Sequence, residues 1–178
     1  MNEFARLLEA EIPRLRRYAR ALTRDAARAD DLVQSGLARA LAKQHLWQPG
    51  TDLRAWMFTI LHNQHVNEVR RSVRAGVTVS IDEILPMSVG PTAMASLELR
   101  DLEVAIAKLA PEQRQVILLV GLEGMAYEEV ALILGVPVGT VRSRLSRGRE
   151  QLRRLMDMDE KLAPRATAAA EPAARRAA

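Results

Sequence analysis

The chain has 178 residues, 48% apolar and 27% charged, which is enough for one or two domains with an ordinary buried core and excludes a wholly disordered polymer. Aromatic residues make up only 3%, so the core has to be built from Leu, Val, Ile, Ala and Met, which suits helices and argues against an all-β fold. The net charge is +4, too modest to name a partner before its distribution is read; the absence of cysteine excludes disulfides, thiol catalysis and cysteine-ligated zinc.

From Glu3 to Lys43 the pattern is helical. Leu7, Leu8, Ile12, Leu15 and Tyr18-Ala19 recur at helical spacing, as do Leu32, Val33, Leu37 and Leu41. Thr23-Arg24-Asp25 breaks the two runs and offers a capping residue to the second. Trp47 to Asp52 reads as a loop by its Pro49-Gly50 pair, and a further helix is expected from about Leu53 to Arg74. Residues 1–75 are therefore expected to form one helical domain. Gly76 to Ser96, with Pro86 and Gly90-Pro91, reads as a linker. A second helical domain is expected over 97–156, with Leu99, Leu102, Ile106 and Leu109 on one face and Pro111 opening another helix. Residues 157–178, rich in Ala, Arg and Pro, read as a disordered tail. No apolar run approaches the roughly 18 residues of a membrane span, so no membrane insertion and a cytoplasmic location are expected.

Within the second domain the charge is segregated. Residues 97–135 carry 3 basic and 7 acidic residues, whereas 136–156 carry 6 and 1. Nearly all the basic residues are Arg, which forks onto phosphates and guanine edges better than Lys, although a genome-wide codon bias gives the same enrichment. The segment Gly124 to Leu145 has the layout of a helix-turn-helix. Tyr127, Val130, Ala131 and Leu134 would be buried by the first helix, Gly135 would take the left-handed turn, and Thr140 would cap the second helix. At 100° per residue, Val141, Leu145, Gly148, Leu152 and Leu155 share the buried direction. Ser143, Ser146, Arg147, Glu150 and Arg154 lie opposite, flanked by Arg142, Arg149 and Arg153 on one side and Arg144 on the other. Such a face can put Arg142 and Arg147 on guanine edges while the flanking arginines hold phosphates; a merely solvated basic face is the competing reading.

These residues resemble region 4 of the extracytoplasmic-function (ECF) sigma factors, bacterial transcription-initiation subunits. The likeness lies in the Tyr-Glu-Glu-Val-Ala run at 127–131, Gly-Val-Pro-Val-Gly-Thr-Val-Arg-Ser-Arg-Leu at 135–145 and Arg-Gly-Arg-Glu-Gln-Leu at 147–152. In the first domain, Asp30-Asp31-Leu32-Val33-Gln34 resembles the region 2 helix that docks on the polymerase β′ clamp helices. Trp56-Met57-Phe58-Thr59-Ile60-Leu61-His62-Asn63 through Arg70-Arg71 resembles the promoter-melting helix of the same region. The resemblance covers about residues 5–156 and implies an all-α protein of two small helical domains.

By that resemblance Asp31 and Gln34 contact the polymerase clamp. Leu53 to Arg71, with the loop Leu46 to Asp52, handles the −10 element through Asn63, Asn67, Arg70 and Arg71, Asn63 being the closest match to a residue that lines the pocket for a flipped base. Arg142, Ser143, Ser146 and Arg147 read the −35 element, with Thr140, Arg144 and Arg149 on phosphates. The implied partners are core RNA polymerase (β′ clamp helices and β flap), promoter DNA and an anti-sigma factor, and a stress-response role fits some subgroups. Two departures stand out: Ser35 follows Gln34 where the family often has Glu, and Ala126 replaces the usual Ser or Thr cap. The rival readings are a sigma-like mimic that sequesters an anti-sigma factor, and a stand-alone helix-turn-helix regulator.

No Ser-His-Asp set, phosphate loop or paired catalytic carboxylate is present, so no enzymatic activity and no cofactor are expected. His62 and His65 have metal-compatible spacing but no third ligand nearby, so no metal is expected and the pair should face DNA or solvent. Trp56 reads as core, while Trp47 can pack or stack on an unpaired base. Asp30-Asp31 and Glu128-Glu129 read as solvated or docking faces.

Overall fold

The computed structural model describes residues 3–76 and 93–162, and every regular element among them is a helix. Helix α1 (Glu3–Thr23) buries Phe4, Leu8, Leu15, Tyr18 and Leu22 along one stripe against α2 (Ala26–Ala42). Arg24 breaks the two at φ 59°, a left-handed conformation unusual for a residue with a side chain. Asp25 then caps α2 by accepting from the Arg28 N–H at 2.8 Å. A 3₁₀ turn at Gln44–Leu46 leads through the Pro-Gly loop to α3 (Leu53–Arg74), capped by Asp52 accepting from Ala55 N–H at 3.1 Å. Gly36 lets α2 and α3 approach closely, since a Cβ there would lie 2.9 Å from Leu61 Cδ1. Trp56 and Trp47 are both half-buried and pack on Phe4, with ring centroids 6.1 and 5.4 Å away, so Trp47 is part of the packing as well.

The second group begins with α4 (Ala93–Ala107), which starts earlier than the expected Leu97. Pro111 occupies the first position of α5 (Pro111–Ile117), where its missing N–H costs nothing. Arg114 reaches back to donate to the carbonyls of Ile106, Ala107 and Leu109 at 3.1, 2.6 and 3.0 Å, satisfying the end of α4. A π-helical turn over Leu118–Leu122 follows, its widened ring closed by Glu123 N–H donating to Leu118 at 3.0 Å. Then come α6 (Tyr127–Leu134), Gly135 at φ 64° and α7 (Val138–Leu162). Gly148 lies against α5, where a Cβ would sit 3.1 Å from Ile117 Cγ1, and so fixes how near α7 approaches its neighbour.

Helix α7 opens at Val138, which corrects the reading of Thr140 as its cap. Pro137, with φ fixed and no N–H to satisfy, lets the helix begin earlier, and its carbonyl accepts from Thr140 and Val141 N–H. The helix also continues past Met156 to Leu162, into the stretch read as tail. Most of the expected linker (77–92) and the rest of the tail (163–178) lie outside the described residues. The buried residues of the two helical groups join in one hydrophobic cluster, with α3 packed on α6 and α1 on the π turn.

Candidate nucleic-acid interface

Val141 and Leu145 are buried and Leu152 and Leu155 half-buried, which turns the opposite side of α7 outward. Arg142, Ser143, Ser146, Arg147 and Arg149 are all exposed there, while Thr140 and Arg144 are half-buried at its margin. The Arg142 guanidinium lies 5.9 Å from the centroid of the Tyr127 ring, a cation–π contact that bridges α6 and α7. Ser143 Oγ donates to the Thr140 carbonyl at 3.0 Å, and Arg147 Nε donates to the Ser143 carbonyl at 3.3 Å. Glu150, the one acid of the segment, pairs with Arg153 and with Arg154, the latter at 3.1 Å, so these two arginines are partly neutralised, whereas Arg142 and Arg149 make no ion pair among the described residues.

Sequence reasoning missed how α6 is started. Ala126 has no side-chain acceptor, but its own N–H donates to Glu129 Oε2 at 2.7 Å, so the reciprocal half of a capping box survives without the first half. Glu129 is therefore a capping residue as well as a surface acid.

On α3, Asn63, Asn67, Arg70 and Arg71 are exposed and fall within about 100° of one another at helical spacing, a polar and basic stripe along one side. Asp31 and Gln34 are exposed on α2. Asp31 and Arg71 both lie within electrostatic reach of Glu68, so the two stripes adjoin. His62 and His65 do not face DNA or solvent as expected. Both turn inward: His62 is buried, and burial together with His62, Arg28 and Arg114 lowers the His65 pKa from 6.5 to about 4. Helix α2 packs on α3, and Arg28 of α2 and Arg114 of the second helical group both lie within electrostatic reach of His65. No cluster of three or more metal-binding side chains occurs among the described residues.

The second feature missed is Glu123. Its side chain is 0% exposed, and Arg17 of α1 donates to both its oxygens, Nε and Nη2 to Oε1 at 3.2 and 3.0 Å and Nη2 to Oε2 at 3.1 Å. Arg54 of α3 adds an ion pair at 3.8 Å and a hydrogen bond to the Glu123 carbonyl. Burial and this carboxylate push the buried Tyr18 phenol upward. One signal was in the sequence: Glu123 is the single charge in the otherwise apolar run from Val116 to Met125.

Two family models match the chain: the Sigma2 domain of PhyR over residues 8–62, and Sigma-70, region 4, over residues 99–152. The ECF RNA polymerase sigma factor EcfG of Rhodopseudomonas palustris is 40% identical over 150 residues, covering 84% of this chain and 83% of the relative. The chain belongs to the ECF RNA polymerase sigma factors. Among solved structures, the sigma factor RpoE in complex with the anti-sigma factor NepR from Bartonella quintana matches this sigma factor at TM-score 0.77 and 35% identity, over 89% of this chain and 99% of that one. The anti-anti-sigma factor PhyR of the same organism, complexed with NepR, shares the fold at TM-score 0.57 and 16% identity, over 90% of this chain and 59% of that one. No helix among the described residues is long and apolar enough to cross a membrane.

Proposed function

We propose that this sigma factor binds core RNA polymerase in the cytoplasm, directs it to promoters and is held in check by an anti-sigma factor, in a stress response. It supplies recognition, and the polymerase carries the chemistry. Helix α7 reads the −35 element with Arg142, Ser143, Ser146 and Arg147, while Thr140, Arg144 and Arg149 hold phosphates. The α3 stripe of Asn63, Asn67, Arg70 and Arg71 engages the −10 strand as it opens, and Asp31 and Gln34 dock on the β′ clamp, with the second helical domain (97–156) meeting the β flap. The observation that carries the reading is the exposed basic face of α7 in a chain whose two family matches fall on its two helical groups.

A second reading, a mimic that captures an anti-sigma factor without using DNA, is favoured by the match of residues 8–62 to the PhyR domain. The arginines of α7 weigh against it, since a mimic has no use for them. The double variant Arg142→Ala/Arg147→Ala separates the two. A sigma factor loses promoter-specific transcription by about 10-fold or more, each lost bidentate pair being worth roughly 1–3 kcal/mol, and keeps its anti-sigma affinity. Undiminished transcription by the double variant would remove these residues from promoter reading.

A further inference from the structure

The contact between the two helical groups is more than apolar packing. A carboxylate withdrawn completely from water is tolerable only when its partners supply strong, well-directed hydrogen bonds, and all those described for the Glu123 side chain come from the first group. Arg17 forks onto both its oxygens, Arg54 adds an ion pair to Oε2 and a hydrogen bond to the backbone carbonyl, and the π turn precedes it in the chain. Remove that pairing and the charge has to return to water, which the apolar contact of α3 with α6 prevents while the seam stays shut. We infer that Glu123, clasped by Arg17 and Arg54, is a latch that holds the free sigma factor in a closed form unable to occupy both promoter elements at once.

The sizes require such an opening. This inference rests on the promoter-reading proposal, in which α3 works at −10 and α7 at −35, elements about 25 base pairs apart. That is about 85 Å of duplex at 3.4 Å per step. A folded chain of this length closes into a body of roughly 40 Å diameter. The closed form leaves the readers themselves uncovered, since Asn63, Asn67, Arg142 and Arg147 are all exposed. What it blocks is simultaneous engagement, so the latch acts on the distance between readers. The match to a sigma factor held by an anti-sigma factor extends over both groups in one superposition, which places the closed arrangement among those compatible with a captured sigma factor.

The test uses the full chain. Because it contains no cysteine, Ala10→Cys and Lys108→Cys, both at exposed positions on different groups, accept two spin labels whose separation is read by pulsed electron resonance. The parent should give one short distance. Glu123→Gln, and separately Arg17→Ala/Arg54→Ala, should raise the long-distance population roughly fivefold or more with helicity unchanged. The triple variant should open no further than Arg17→Ala/Arg54→Ala, because Glu123→Gln has nothing left to release once both arginines are gone; Glu123→Gln alone keeps the Arg54 bond to the Glu123 carbonyl. At limiting sigma factor, the concentration giving half-maximal promoter transcription by core polymerase should fall by the factor by which the open fraction rises. Unchanged distances, or opening that adds in the triple variant, would overturn the latch. Opening without any fall in the half-maximal concentration would overturn its role in restraining activity. If the unlabelled parent directs no transcription, the promoter-reading proposal fails, and the distance measurement still decides whether Glu123 closes the seam.

Discussion

Arg142 is held where it is by one aromatic ring. A guanidinium 5.9 Å from the Tyr127 centroid gains about 0.5–1 kcal/mol at an exposed site, enough to favour one rotamer but not to lock it. Tyr127→Phe keeps the ring and should leave −35 binding unchanged. Tyr127→Leu should weaken it by roughly two- to fivefold, most strongly at the base that Arg142 is proposed to read, as measured by transcription from promoters altered one base at a time. Equal loss at every base, or equal loss in both variants, would deny Tyr127 this positioning role. The buried histidines make a different kind of prediction. His65 titrates near 4 in the folded chain and near 6.5 when unfolded, so between these values only the unfolded chain binds the proton. Its contribution to stability is complete above pH 6.5 and is lost as the pH falls towards 4, with a slope of up to about 1.4 kcal/mol per pH unit. Burial moves His62 in the same direction, while Arg28 and Arg114 oppose any positive charge on His65. Melting temperatures recorded from pH 7 to pH 4 should therefore fall, and His65→Gln should flatten that fall; an equally steep fall in the variant would show that the proton goes elsewhere.

At the scale of the elements, the helix boundaries set by local chemistry were legible in the sequence. Asp25 caps α2, Pro111 opens α5 and Gly135 takes the left-handed turn, because each acts on backbone groups within four residues of itself. Thr140 misled because a Thr before a basic helix is a good cap in isolation, whereas Pro137 had already started the helix. Helix α6 is the element with the most obvious deficit. Ala126 has the extended backbone of a cap, φ −66° and ψ 153°, but no oxygen to accept a hydrogen bond, and Glu129 supplies only the return bond. Ala126→Ser should complete the box and stabilise the second helical group by about 1 kcal/mol in denaturant unfolding. A neutral result would mean that the Glu129 contact already satisfies the end of the helix.

For the molecule as a whole, composition and periodicity pointed to helices and put Arg142, Ser143, Ser146 and Arg147 on the outer face of α7, whereas Asn63, Asn67, Arg70 and Arg71 of α3 were singled out only by the family resemblance; all eight are exposed. None of these signals revealed how the helical groups meet. Arg17 and Glu123 are 106 residues apart in sequence, so no local pattern links them, and the same holds for His65, read as facing DNA or solvent, and Arg114 of the second group, which lies within its electrostatic reach. The central claim, that this chain selects promoters, is tested most directly by multi-round transcription. Sigma-free core polymerase would act on a fragmented genomic library, with and without the protein, and the 5′ ends would be mapped. New start sites sharing two upstream motifs at fixed spacing, lost with Arg142→Ala/Arg147→Ala, are the predicted result. No new start sites, with a control sigma factor active on the same core enzyme, would contradict it and favour the anti-sigma-capturing mimic.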